Sequence, residues 1–61
     1  MNFSLILPIY NEEKNIDSVV SLLLQNFPEM EIILVNDGST DKTAQILEKY
    51  ASTTKIISYS Q

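Results

Sequence analysis

Two apolar runs, residues 3–7 and 32–35, each stop abruptly in polar side chains and then give way to a helix-like spacing. The first continues as Pro8-Ile9-Tyr10-Asn11-Glu12-Glu13, the second as Asn36-Asp37-Gly38-Ser39-Thr40-Asp41. A strand followed by a helix, and not by a tight hairpin, must reach its next neighbour by a crossover, so the two strands run parallel. The chain is thereby committed to an α/β sheet. Ligands of open α/β sheets sit at the carboxyl ends of the strands. Both polar clusters fall there, and together they describe one lip of a binding site.

The remaining elements follow the same logic. Pro8 suits the end of the first strand, because proline has no ladder donor. Ile16, Val19, Val20, Leu23, Leu24 and Phe27 have the spacing of an amphipathic helix, with Asn11 or Asn15 as its cap and Pro28 beyond its end. Residues 31–35 form a second strand, and Gly38, the only glycine, stands where the chain turns sharply. Ser39 or Thr40 caps a second helix from Asp41 to about Tyr50 that buries Ala44, Leu47 and Ala51. Residues 55–59 are a third strand. With the strands in the order 3-2-1, both helices cover one face of the sheet.

That leaves a conflict. Leu5 and Leu7 alternate with Ile6, and Ile32 and Leu34 with Ile33 and Val35, so the first two strands are apolar on both faces. Such strands belong in sheets covered on both sides. The expectation is a truncated, three-layer-type parallel βαβαβ unit, residues 1–61 being an incomplete domain that self-associates through its uncovered sheet face.

Composition narrows the chemistry. The chain has no cysteine and no histidine, which removes thiolate metal sites and the commonest general base. A net charge of −4, with lysines scattered singly at 14, 42, 49 and 55, offers no basic stripe for nucleic acid. The apolar run 5–9 is far too short to span a membrane and has no basic segment before it, so the default compartment is the cytoplasm.

Asp37 reads two ways. It is either a carboxylate that accepts hydrogen bonds from a nucleotide base or ribose, or a turn residue bonding its own backbone. Glu12 and Glu13 form either part of a site or a solvated first turn, and Tyr10 either stacks on a base or packs locally. Ser39 and Thr40, at a helix start, have the chemistry to hold a phosphate. Neither the dinucleotide glycine fingerprint nor the P-loop pattern occurs.

Taken together, Pro8 to Glu12 and Val35 to Asp41 resemble the N-terminal portion of family-2 glycosyltransferases of the GT-A fold, over essentially the whole chain. The resemblance implies a Rossmann-like nucleotide-binding half and a nucleoside-diphosphate sugar as partner. It places Pro8 and Tyr10 along the nucleoside, Glu12 at the ribose or base edge, and Asp37 with the Val35 backbone on the base. Asn36 departs from the acidic pair often found there. Asn11 to Ile16 and Ile57 to Ser60 look most like the branch that glycosylates polyprenyl phosphates, such as dolichyl-phosphate mannose synthase; other relatives use saccharide acceptors. In the family, sugar transfer proceeds with inversion and a divalent metal, Mg or Mn, is held by an Asp-any-Asp motif. No such pair occurs in the 61 residues. The chain alone is expected to bind no metal, to contain no catalytic residue and to be inactive, its full-length parent working at the cytoplasmic face of a membrane. The alternative is a small, non-catalytic α/β binding or interaction module.

Overall fold

A computed structural model describes residues 3–59. Strand β1 (Ser4–Ile9), helix α1 (Ile16–Asn26), strand β2 (Glu31–Asp37), helix α2 (Thr43–Leu47) and strand β3 (Lys55–Tyr59) follow in that order, with a 3-10 turn at Glu48–Tyr50 closing α2. All strand pairings are parallel and β2 is central. The expected strand order is therefore the observed one.

Alternation along the strands decides which side chains meet the helices. Ile9, Ile32 and Leu34 lie on the covered face and pack with Ile16 and Val20 of α1 and Leu47 of α2. Leu7 and Ile56 extend this core at its sides. Ile6, Pro8, Ile33, Val35 and Ile57 share the opposite face, as the registers Ile6↔Ile33, Pro8↔Val35 and Val35↔Ile57 require. Among the described residues nothing packs over that face, and Ile6 is 62% exposed. Ile33 and Val35 are half-buried because their cross-strand neighbours shield them laterally.

Five local expectations change, the first being that β2 runs two residues beyond Val35, to Asp37. The first strand does not end at Pro8 but continues to Ile9. Phe3 accepts a hydrogen bond from the Glu31 N–H at 3.1 Å, so odd-numbered residues of β1 turn their backbone groups toward β2. The missing donor of Pro8 then falls on the outer edge, where no ladder bond is lost. Asn15 occupies the cap position of α1 but makes no side-chain cap bond. The Glu12 carbonyl instead accepts from Asn15 N–H at 3.0 Å and Ile16 N–H at 2.8 Å.

Val19 and Phe27 are 39% and 45% exposed, because β1 is an edge and no strand lies beyond it to receive them. The second helix is shorter than its spacing suggests. Thr43 and Leu47 are buried and Ile46 and Tyr50 half-buried, whereas Ala44 and Ala51 are exposed. The buried stripe thus begins on a hydroxyl residue, which an apolar count passes over. The helix closes because the Tyr50 carbonyl accepts four donors, the N–H and hydroxyl groups of Thr53 and Thr54. Asp17 ties this end to α1, accepting from Tyr50 Oη and from Lys49 Nζ at 3.1 Å.

Candidate functional site

The register Ile9↔Asn36 brings the ends of β1 and β2 level, so the loops that follow them start side by side. Loop one runs over residues 10–15 and loop two over residues 38–42. Their contacts are specific. Asn11 N–H donates to Ser39 Oγ at 3.0 Å, and Asn11 Oδ1 accepts the Thr40 N–H at 2.7 Å. Glu12 N–H donates to Thr43 Oγ1 at 2.9 Å, and Glu13 N–H to Asp41 Oδ2 at 3.3 Å.

Two residues take the left-handed backbone that these turns need. Gly38 has φ 73° and is buried, so a Cβ there would add steric crowding to an unfavourable dihedral. Asn11 has φ 49°, which its short amide tolerates better than most side chains. Asn36 is 4% exposed, and its Oδ1 accepts the Ser39 N–H at 3.2 Å. An amide therefore closes the turn after β2 without placing a charge in the interior.

Asp41 is the most heavily bonded acid of the site. Burial pushes its carboxyl up, but the Thr43 hydroxyl, then the N–H groups of Thr43 and Glu13, bring it below its ordinary value of 3.8. Thr43 is completely buried. Its hydroxyl donates to Asp41 Oδ1 and accepts from Glu12, so both of its polar capacities are used.

The sequence-predicted site residues separate into two places. Pro8 and Val35 are directly paired, and Asp37 follows Val35 on the same open face of the sheet, exposed at the strand end. Tyr10 is 51% exposed just beyond β1. Glu12 lies elsewhere, in a recess along the outer edge of β1 lined by Leu7, Pro8, Ile9, Ile16 and Val19. Pro8 borders both places. Asn11 takes the N–H and hydroxyl of Thr40, and Asn36 takes the Ser39 N–H, so of these donors the Ser39 hydroxyl proton alone is left for a phosphate. Among the described residues no three His, Cys, Asp or Glu side chains are grouped to hold a metal ion.

Asn11, Asp41 and Thr43 were not singled out as functional by sequence reasoning. The available signal was the Asp41-Lys42-Thr43 spacing, in which a carboxylate two residues ahead of a hydroxyl favours a local side-chain turn.

The family model described as glycosyl transferase family 2 matches residues 4–61. A poly(ribitol-phosphate) beta-N-acetylglucosaminyltransferase, TarS, of Staphylococcus aureus is 53% identical over 53 residues, covering 82% of this chain and 9% of that protein. An uncharacterized glycosyltransferase, EpsJ, of Bacillus subtilis is 49% identical over 49 residues, covering 79% of this chain and 14% of that one. The crystal structure of S. aureus TarS 1-349 superposes with a TM-score of 0.75 at 44% identity, over 97% of this chain and 19% of that one. The chain thus spans less than a fifth of the length of each of these relatives.

Proposed function

The chain belongs to glycosyl transferase family 2, and we propose that it forms the donor-nucleotide-binding part of an inverting glycosyltransferase. One observation carries this reading: the two loops at the carboxyl ends of β1 and β2 are hydrogen-bonded into one lip, beside Pro8, Val35 and Asp37 on a shared face. That is where an α/β sheet takes its ligand. Pro8 and Tyr10 lie along the nucleoside, the Asp37 carboxylate accepts from the base beside the Val35 backbone, and Glu12 meets the ribose or base edge from the side of β1.

In the reaction, an acceptor oxygen forms a bond to the anomeric carbon as the bond to the nucleoside diphosphate breaks. The acceptor's proton, where it has one, passes to a base outside these residues. The described residues contribute binding and orientation of the donor. Mg or Mn would offset charge on the leaving diphosphate in the complete enzyme. Among the described residues no three His, Cys, Asp or Glu side chains are grouped to fit such an ion.

The names of the relatives favour an acceptor that is part of a cell-surface polymer, as for the poly(ribitol-phosphate) enzyme and a poly-beta-1,6-N-acetyl-D-glucosamine synthase at 44% identity. A polyprenyl-phosphate acceptor rests only on residues 11–16 and 57–60, and Ser60 lies outside the described residues. Such an enzyme would work in the cytoplasm, its full-length form at the membrane's cytoplasmic face. No helix among the described residues is long and apolar enough to cross a membrane.

The test is calorimetry of the full-length enzyme with UDP and with GDP. Asp37→Ala should weaken the nucleotide that binds by about 1–3 kcal/mol, and Asp37→Asn by less, since the amide keeps an acceptor oxygen. Tyr10→Ala should raise the donor's KM and spare the acceptor's. Equal nucleotide affinity in wild type and both Asp37 variants would return Asp37 to a turn residue and favour a non-catalytic module.

A further inference from the structure

We infer that Asp41 and Thr43 are positioning residues that set the spacing of the two loops, and through it the affinity of the nucleotide lip. The inference rests on the donor-binding reading above. Neither residue needs to touch the ligand.

Thr43 is a polar side chain with no exposed surface, on the first turn of a five-residue helix. A threonine there could have been valine at almost the same volume, so its hydroxyl must answer a polar need. That need is visible. The hydroxyl oxygen takes the Glu12 N–H of loop one while its proton goes to Asp41 Oδ1 of loop two. Asp41 adds a second tie, accepting the Glu13 N–H on its other oxygen and the Thr43 N–H at 2.9 Å on the first. The node thus holds two consecutive amides of loop one against the start of α2, while Asn11 makes a separate pair of bonds at the solvent side. Tyr10 and Glu12, on loop one, and Asp37, before loop two, can grip one nucleoside only if the loops keep a fixed separation. The node fixes it.

The chemistry predicts an ordered series. Thr43→Ser keeps both hydroxyl functions. Thr43→Val keeps volume but leaves the Glu12 N–H without its acceptor. Asp41→Asn has a single acceptor oxygen, so it loses either the Thr43 bonds or the Glu13 bond.

All three variants are made in the full-length enzyme and titrated with UDP and with GDP, alongside donor and acceptor kinetics. Thr43→Val and Asp41→Asn should each weaken nucleotide binding about 2- to 12-fold, the range a single lost hydrogen bond sets. The donor's KM should rise in step while the acceptor's KM stays level, and Thr43→Ser should restore wild-type affinity. A role in stability alone would lower the melting temperature without altering the nucleotide affinity of the folded protein, and that result overturns the inference. If Thr43→Val does not fold, Asp41→Asn against Thr43→Ser decides in the same way. If wild type binds neither nucleotide, the donor-binding reading fails and takes this inference with it. If wild type binds and the variants bind equally, only the positioning role falls.

Discussion

Asn11 offers a way to separate two contributions that a single substitution would merge. Its backbone is left-handed, at φ 49°, and its side chain accepts the Thr40 N–H at 2.7 Å. Asn11→Gly abolishes the acceptor but relieves the dihedral. Asn11→Ala abolishes the acceptor and adds a Cβ in a conformation that costs roughly 1–2 kcal/mol for most residues. The lost neutral hydrogen bond contributes about 0.5–1.5 kcal/mol, at the lower end here because the site is exposed. Glycine therefore should lose roughly 0.5–1 kcal/mol relative to wild type, and alanine about 1 kcal/mol more. Urea denaturation of the three chains at low concentration gives the differences, and exchange of the Thr40 amide locates them. Glycine's extra freedom in the unfolded chain works against it, so a measured gap of alanine below glycine is a lower bound on the dihedral cost. Alanine as stable as glycine would show that Asn11 does not hold φ near 49° in solution. Thr40 exchange unchanged in the glycine variant would show that the bond between the loops carries nothing.

Two further outcomes follow from the same geometry. The Tyr50 hydroxyl, followed by Lys49, holds the Asp17 carboxyl below its ordinary 3.8, and Thr43 and Glu13 do the same for Asp41 against its burial. Carboxyls depressed in the folded state contribute stability that is complete above 3.8 and lost as pH falls through the lower folded values. Thermal melts should therefore decline in acid below 3.8, and the double variant Asp17→Asn/Asp41→Asn should decline less steeply; parallel profiles would refute the assignment. The isolated chain should also self-associate through Ile6, Ile33, Val35 and Ile57, and Ile6→Lys should reduce that association. Sedimentation of the wild type as a compact monomer that unfolds cooperatively would overturn the expectation.

The strands were legible in the sequence as short apolar runs, although β1 runs on through Pro8 to Ile9 and β2 through Asn36 to Asp37. Residues 55–59 coincide with β3, and Gly38 sits where its left-handed φ is needed. The strand order was legible too, since two short crossovers on one face leave β2 in the middle. The tightening of α2 into a 3-10 turn after Leu47 was not, although that turn ends at Tyr50 as the spacing suggests. Nor was the burial of Thr43, whose place in the core is decided by a partner some thirty residues earlier (Glu12). Pro8, Val35 and Asp37 could be read as neighbours from strand pairing alone. The displacement of Glu12 toward the outer edge of β1 comes from the turn that its own carbonyl closes on Asn15 and Ile16.

The outward-facing nitrogen of Pro8 leaves one gap in the free edge of β1. A strand laid along that edge would forgo a single ladder hydrogen bond there, one residue before β1 ends. Pairing is thus weakest beside the recess that Glu12 lines with Pro8 and Ile9. A ligand approaching the lip from that side competes least with a neighbouring strand.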